Sequence, residues 1–226
     1  MAKRGVIIVA GGSGSRMGSA LPKQFLILGG QPVVARTINT FAEAMPSAEI
    51  VVVLPEEHIA LWRNIAARFE VAPHRCVAGG KERFDSVKRG LEALSSEVES
   101  IAVHDGVRAL VSKRCIIRTL LAADQSRAAI PVVDVVDSYR VLTAEDNSRI
   151  IDRKQLRIVQ TPQIFDAELL RRAYEQPYNA AFTDDASVVE AMGHSITLVE
   201  GERTNLKLTT PEDMEYAEWL LSRSGE

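Results

Sequence analysis

Hydrophobic residues follow two alternating patterns along the chain. Short continuous apolar runs, bounded by Gly, Pro or charged residues, predict buried strands at 5–10, 50–54, 76–78, 101–104 and 129–133. Between these runs, apolar positions recur every three or four residues and predict helices. They are Val34, Ile38 and Phe41; Ile59, Trp62 and Ile65 within 56–69; Phe84, Val87, Leu91 and Leu94; and Ile116, Ile117, Leu120 and Leu121 behind a Ser112 cap. Alternating strands and helices predict an α/β fold, a mostly parallel sheet with helices on both faces and right-handed crossovers. Ligands of such sheets bind beyond the carboxyl ends of the strands.

The pattern breaks at 134–157. Residues 135–143 are β-rich, 144–148 read as a turn, and 149–152 return as a second strand, which predicts a β-arm projecting from the sheet. A lone hairpin is marginal in water, so the arm is expected to pack on something. The chain resumes at 156–165, and a helix starts near Asp166. Another helix is expected to be capped by Thr183, with Asp184 and Asp185 in its first turn, and to end at Gly193. A strand at 196–199 precedes a last helix opened by Thr210-Pro211. With no repeat, low-complexity tract or linker, residues 1–226 are expected to form a single domain.

Composition narrows the class. At 226 residues, 46% hydrophobic and 25% charged, the chain has the make-up of a globular domain burying roughly 70% of its unfolded surface. No apolar run approaches the roughly 20 residues of a membrane span, and the opening segment does not read as a signal peptide. Cys76 and Cys115 have neither metal-site nor secreted-disulfide spacing, and are expected to be buried thiols in a reducing, cytoplasmic setting. The net charge of −3 conceals an asymmetry: residues 1–42 hold Lys3, Arg4, Arg16, Lys23 and Arg36 but no acid, leaving −8 for the rest. That points to a local anion site; there is no wider basic patch to bind nucleic acid.

The candidate chemistry lies just after strand ends. Gly11-Gly12-Ser13-Gly14-Ser15-Arg16-Met17-Gly18 is a glycine-rich loop, but Met17 takes the third glycine position of the dinucleotide fingerprint and no acid follows before Glu43. The Gly-Lys-Ser/Thr of a phosphate loop is also absent. Instead Arg16 and Lys23 flank glycines whose backbone N–H groups can approach phosphate oxygens, which suits a triphosphate under attack. Gly79 to Ser86 opens a helix at the same sheet end and suits reading a polar base edge as well as a plain helix cap. Asp105, at a strand end beside Gly106, is a candidate Mg²⁺ ligand, whereas His104 reads as a packed or hydrogen-bonded histidine. Scattered histidines disfavour zinc, and no hydrolase nucleophile elbow is present.

Taken together, Ala10 to Gly18 followed by Pro22-Lys23-Gln24-Phe25 resembles the signature of sugar- and polyol-phosphate nucleotidyltransferases. Gly79-Gly80-x-x-Arg83-x-x-Ser86, Val103-His104-Asp105, Gln160-Thr161-Pro162-Gln163, Thr183-Asp184-Asp185 and Gly201-x-x-x-Asn205-x-Lys207 narrow the resemblance to the 2-C-methyl-D-erythritol 4-phosphate cytidylyltransferases of the non-mevalonate isoprenoid pathway. It implies a Rossmann-like nucleotidyltransferase fold and transfer of CMP from CTP to a polyol phosphate, with pyrophosphate released. Arg16, Lys23 and Lys207 would be catalytic; Ala10, Gly11, Gly12, Gly79, Gly80 and Ser86 would bind the nucleotide. Asp105 would hold Mg²⁺ or another divalent cation. A homodimer formed through the arm would bring Ser138 and Arg153 to the partner's site to bind the polyol phosphate, with Thr161 and Thr183 closing it from the body. Gly11, Lys81, Ser138 and Gly106-Val107 depart from the commoner family residues, and the role of Arg108 is left open. The same loop also resembles ribitol 5-phosphate cytidylyltransferases. A non-catalytic nucleotide-binding protein is the alternative of another class.

Overall fold

A computed structural model describes residues 3–12, 21–144 and 147–224. In chain order the strands are β1 (Arg4–Val9), β2 (Ile27–Leu28), β3 (Gln31–Pro32), β4 (Glu49–Leu54), β5 (Arg75–Ala78), β6 (Ser100–Asp105), β7 (Ala128–Asp134), β8 (Tyr139–Ala144), β9 (Asn147–Ile151), β10 (Arg157–Val159), β11 (Gln163–Asp166) and β12 (Thr197–Glu200). The helices are α1 (Val33–Ala44), α2 (Glu56–Ala66), α3 (Arg83–Ala93), α4 (Lys113–Ser126), α5 (Ala167–Ala173), α6 (Asp185–Glu190) and α7 (Pro211–Ser224). The expected strands and helices are therefore present.

β6, β1, β4 and β5 run parallel side by side, and β12 lies parallel on β7. β11 lies between β7 and β6 and runs antiparallel to both, while β10 pairs antiparallel with β7 on its far side. The sheet is thus mostly parallel, with an antiparallel insert where the chain returns from the arm.

The alternation of strand side chains builds a core on each face. Ile7, Val51, Val53 and Val103 pack with Val87 and Leu91 of α3 and Val188 and Val189 of α6. Val6, Ile8, Val52 and Ala102 pack against Ile38 and Phe41 of α1, Trp62 of α2 and Ile116 of α4. Because β1, β4, β5 and β6 are parallel, their carboxyl ends open on one side.

Local expectations shifted where tertiary contacts intervened. α2 ends at Ala66 rather than 69, and the following residues close in tighter turns. Asp184, not Thr183, caps α6: its carboxylate accepts from the Ser187 N–H at 2.9 Å, while Ser187 Oγ accepts from the Asp184 N–H at 3.2 Å. That helix stops at Glu190, and Gly193 lies in the left-handed region with φ of 82°. Thr210 does accept from the Asp213 N–H, at 3.3 Å, at the start of α7. Cys115 is buried but Cys76 only half-buried; both are free, and burial raises both thiols above their ordinary pKa. The arm begins as a strand at Tyr139, with 135–138 irregular, and β8–β9 form a sheet of their own. Leu142 is 77% exposed and Ile150 65%.

Candidate active site

The three loops singled out in the sequence converge at the carboxyl ends of β1, β4, β5 and β6. A cavity of about 300 Å³ is bordered by Ala10, Gly11, Gly12, Lys23, Gly79, Gly80, Ser86, Asp105 and Lys207, and also by Gln24, Lys81, Glu82, Arg83 and Val107. Arg16 and the rest of its loop, residues 13–20, lie outside the described residues.

Lys23 is presented by a short 3-10 turn whose other members are sunk into the protein. Phe25 stacks on Trp62 with centroids 5.6 Å apart, and Gln24 donates from Nε2 to the Ala10 carbonyl at 2.9 Å. A Cβ on Gly12 would meet Lys23 Cε at 3.5 Å, so the lysine stem lies along the glycine backbone.

The Gly79–Ser86 loop is closed by its own serine. Ser86 Oγ accepts from the Gly80 N–H and donates to the Glu82 carbonyl, both at 3.1 Å. The Gly79 N–H donates to the Leu54 carbonyl, and Arg89 holds the Gly79 carbonyl at 2.6 Å. A Cβ at Gly80 would collide with Asp85, so the glycine allows the tight entry into α3.

Asp105 is the electrostatic centre. Lys207 Nζ is 3.0 Å and Arg108 Nε 3.4 Å from its Oδ2, and Arg83 Nε is 3.8 Å from its Oδ1. Burial opposes ionisation, but Arg83, Lys207 and Arg108 outweigh it and hold the carboxylate below its ordinary range. Arg83 in turn forms a bidentate pair with buried Asp185, at 2.9 and 2.7 Å, and Tyr174 donates to Asp185 at 2.6 Å. Arg108 donates to the Asn205 carbonyl at 2.8 Å, so it bridges the loop of Asp105 to the segment of Lys207.

His104 fits the packed-histidine reading. Burial depresses its pKa to about 3, keeping it neutral. Thr161 Oγ1 accepts from the Asp105 N–H at 3.1 Å and lies 3.0 Å from His104 Nδ1; Nε2 faces the Arg108 carbonyl at 3.3 Å. One proton arrangement satisfies every partner: Thr161 donates to Nδ1, and Nε2–H donates to Arg108. Thr161 is therefore a buried support for Asp105 and is not among the described residues that border this cavity. Thr183 is exposed just before α6. Ser138 and Arg153 are exposed at the base of the arm and are not among the cleft-lining residues of their own chain; Arg153 donates to the Val136 carbonyl.

The sequence reading passed over Gln24, Asp185 and Asn205 as site components, and left Arg83 and Arg108 without roles. The spacing of Asp105 and Arg108 was the one available local signal; the other partners are far apart in sequence.

Comparison with known proteins decides the family. The model of the family "IspD: 2-C-methyl-D-erythritol 4-phosphate cytidylyltransferase" matches residues 5–223. The chain belongs to this family. A relative from Bacteroides fragilis, named 2-C-methyl-D-erythritol 4-phosphate cytidylyltransferase, is 50% identical over 220 residues, covering 96% of this chain and 99% of the relative. One from Porphyromonas gingivalis with the same name is 45% identical over 97% of this chain and 98% of its own. The crystal structure of the Thermus thermophilus cytidylyltransferase superposes with a TM-score of 0.77 at 34% identity, over 98% of this chain and 100% of that one. That of the 4-diphosphocytidyl-2C-methyl-D-erythritol synthase from Anaerococcus prevotii gives 0.83 at 28% identity, covering 98% and 97%. The fold is thus that of the IspD family.

Proposed function

We propose that the protein transfers a cytidylyl group from CTP to the phosphate of 2-C-methyl-D-erythritol 4-phosphate and releases pyrophosphate. Besides family membership, the observation that carries this reading is the gathering of Lys207, Arg83 and Arg108 around Asp105, in a cleft that Lys23 also borders. The acceptor needs no general base. A phosphate monoester has its second pKa near 6, so its attacking oxygen is mostly ionised at neutral pH. The difficulty is bringing two anions together and stabilising a more charged transition state, a task for positioned cations. Lys23 and Arg16 hold the triphosphate, and Lys207, beside Asp105, meets the α-phosphate. Gly11 and Gly12 give the phosphates access to backbone, while Ala10, Gly79, Gly80 and Ser86 shape the nucleoside pocket.

A divalent cation, Mg²⁺ first among them, fits the donor set. Among the described residues, Asp105 Oδ1 is approached by Arg83 alone, at 3.8 Å, and Mg²⁺ commonly takes one or two carboxylates with substrate phosphates and water completing its shell. Among the described residues no cluster of three or more carboxylate, His or Cys side chains forms a self-sufficient metal site, so Asp105 would hold the ion jointly with the triphosphate. When bound, it neutralises phosphate charge and orients the α-phosphate for in-line attack.

The exposed apolar arm supports a homodimer in which Ser138 and Arg153 of one protomer serve the polyol phosphate at its partner's cleft, with Thr183 on the body side. Among the described residues no helix is long and apolar enough to cross a membrane, and the free thiols suit a reducing compartment; we assign the protein to the cytoplasm. The test is pyrophosphate release with CTP and Mg²⁺, comparing methylerythritol phosphate with ribitol 5-phosphate at equal concentration. Fast release with the former alone is expected. Preference for ribitol phosphate would overturn the substrate, and CTP binding with no release under either would overturn the enzymatic reading.

A further inference from the structure

Two stretches of the sequence motifs, around Gln160 and from Gly201 to Asn205, have no part in the chemistry above, yet they meet directly behind it. Gln160 sits where β10 breaks before β11. Its side-chain amide accepts from the Glu202 N–H at 3.1 Å and donates to the Glu202 carbonyl at 2.7 Å, pairing with that backbone as a neighbouring strand would. The same Nε2 lies 3.3 Å from the Asn205 carbonyl. Gly201 makes room for this clip: a Cβ there would run into Gln160 Oε1 and stand 3.0 Å from the Val132 carbonyl. Asn205, with no exposed surface, donates from Nδ2 to the Thr161 carbonyl at 2.9 Å. Thr161 is the residue whose hydroxyl accepts the Asp105 N–H. Both members of the Lys207–Asp105 pair therefore hang from one turn, residues 160–162.

The segment needs such an anchor. Between the end of β12 at Glu200 and the start of α7 at Pro211 there is no helix or strand, so no regular ladder holds the backbone that carries Lys207. The Lys207 side chain is 47% exposed and long, and where its ammonium reaches depends on where its Cα is held. Its neighbour Leu208 donates to the Val107 carbonyl at 3.0 Å, which ties down one side only. The Gln160–Asn205 clip ties down the other.

We propose that Gln160 and Asn205 are positioning residues for Lys207, fixing its ammonium against Asp105 at the cleft. The proposal rests on the reading of Lys207 as a residue that stabilises phosphate charge. It is tested with Asn205→Ala and Gln160→Ala, each alone and combined with Lys207→Ala, measuring kcat, KM for CTP, thermal melting and amide hydrogen exchange. Asn205→Ala is expected to melt cooperatively, to speed exchange across 202–208, and to lower kcat about tenfold to hundredfold, the usual scale for misplacing a catalytic group by an ångström. In the Lys207→Ala background the same substitution is expected to change kcat by less than about twofold, because groups acting through one another are not additive. An equal fold-loss in both backgrounds would overturn the proposal, as would unchanged exchange at 202–208 or wild-type kcat in folded Asn205→Ala. If Asn205→Ala does not fold, Gln160→Ala carries the same cycle. Wild-type turnover in Lys207→Ala would overturn the role of Lys207 and the proposal with it; the exchange data distinguish that failure from a clip that does not hold the segment.

Discussion

Replacing Asp185 with asparagine removes the charge from a carboxylate that has no exposed surface and three donors: Arg83 Nη1 at 2.9 Å, Arg83 Nη2 at 2.7 Å and the Tyr174 hydroxyl at 2.6 Å. At Arg83, burial disfavours the cation, but the attraction of Asp185 prevails and raises the guanidinium above its ordinary pKa. Breaking one side of a buried pair typically costs about 3–5 kcal/mol. Arg83 keeps 29% of its side chain exposed and has Asp105 3.8 Å away, so it recovers part of the loss and the low end, about 3 kcal/mol, applies. For a chain of this size that lowers Tm by about 6–12 °C, read by circular dichroism at constant pH. Tyr174→Phe removes one charge-assisted bond and is expected to cost about 1.5 kcal/mol, half the shift. Replacing both charges, Arg83→Met with Asp185→Leu, is expected to restore melting to within about 1 kcal/mol of wild type, because desolvation disappears together with attraction. Turnover should stay low in the double variant, since Arg83 borders the cleft beside Asp105. An Asp185→Asn protein melting within about 2 °C of wild type would refute the reasoning.

Lys23→Ala is expected to depress turnover by about two orders of magnitude or more with the melt unchanged, and unchanged turnover in the folded variant would remove Lys23 from the chemistry. Arg153→Ala should raise KM for the polyol phosphate and spare that for CTP; equal loss of both would make the arm purely structural. His104 offers a pH test. Its folded pKa of about 3 lies below its ordinary 6.5, so between those values the unfolded chain binds a proton that the native state does not. Its contribution is fully present above pH 6.5 and is lost as pH falls toward 3. His104→Gln should therefore show a shallower fall in the unfolding free energy from urea titrations over that window than wild type, by on the order of a few kcal/mol; parallel curves would show that His104 is not held neutral.

β1, β4 and β6 were legible because they are buried on both faces, so a continuous β-branched run can be little else. The helices were legible through three- and four-residue spacing, as with Val34, Ile38 and Phe41. What escaped was set by contacts distant in sequence. The antiparallel course of β11 depends on its fit between β6 and β7, which no local pattern encodes. The cap of α6 fell one residue later than expected because Asp184 is fixed from outside its helix: Gln163 donates to its Oδ2 at 2.8 Å and accepts from the Ala186 N–H at 2.9 Å.

The same distinction separates the loops from the charges within them. Glycine loops after parallel strands must converge, since the carboxyl ends share one side, and so the cleft could be located without coordinates. Which cations serve the substrate could not, because that depends on which are already held. Arg83 is committed to Asp185, 102 positions away, and Arg108 to Asp105 and the Asn205 carbonyl. Each of these arginines therefore has a buried acceptor balancing it, and what it adds to the cleft is shape and a fixed field. Lys207 shares Asp105 with both arginines and remains nearly half exposed. Three cations on one carboxylate leave the cluster net positive even after Asp185 is counted. That surplus borders the same cleft as Lys23, so a polyanion entering it meets positive charge. Of the described cations in the first 42 residues, Lys23 borders this cleft, whereas Lys3 and Arg4 pair with Glu97 and Asp124 at the start of β1 and Arg36 faces another hollow; the charge asymmetry therefore reaches the site through Lys23, beside the cluster of residues 83, 108 and 207.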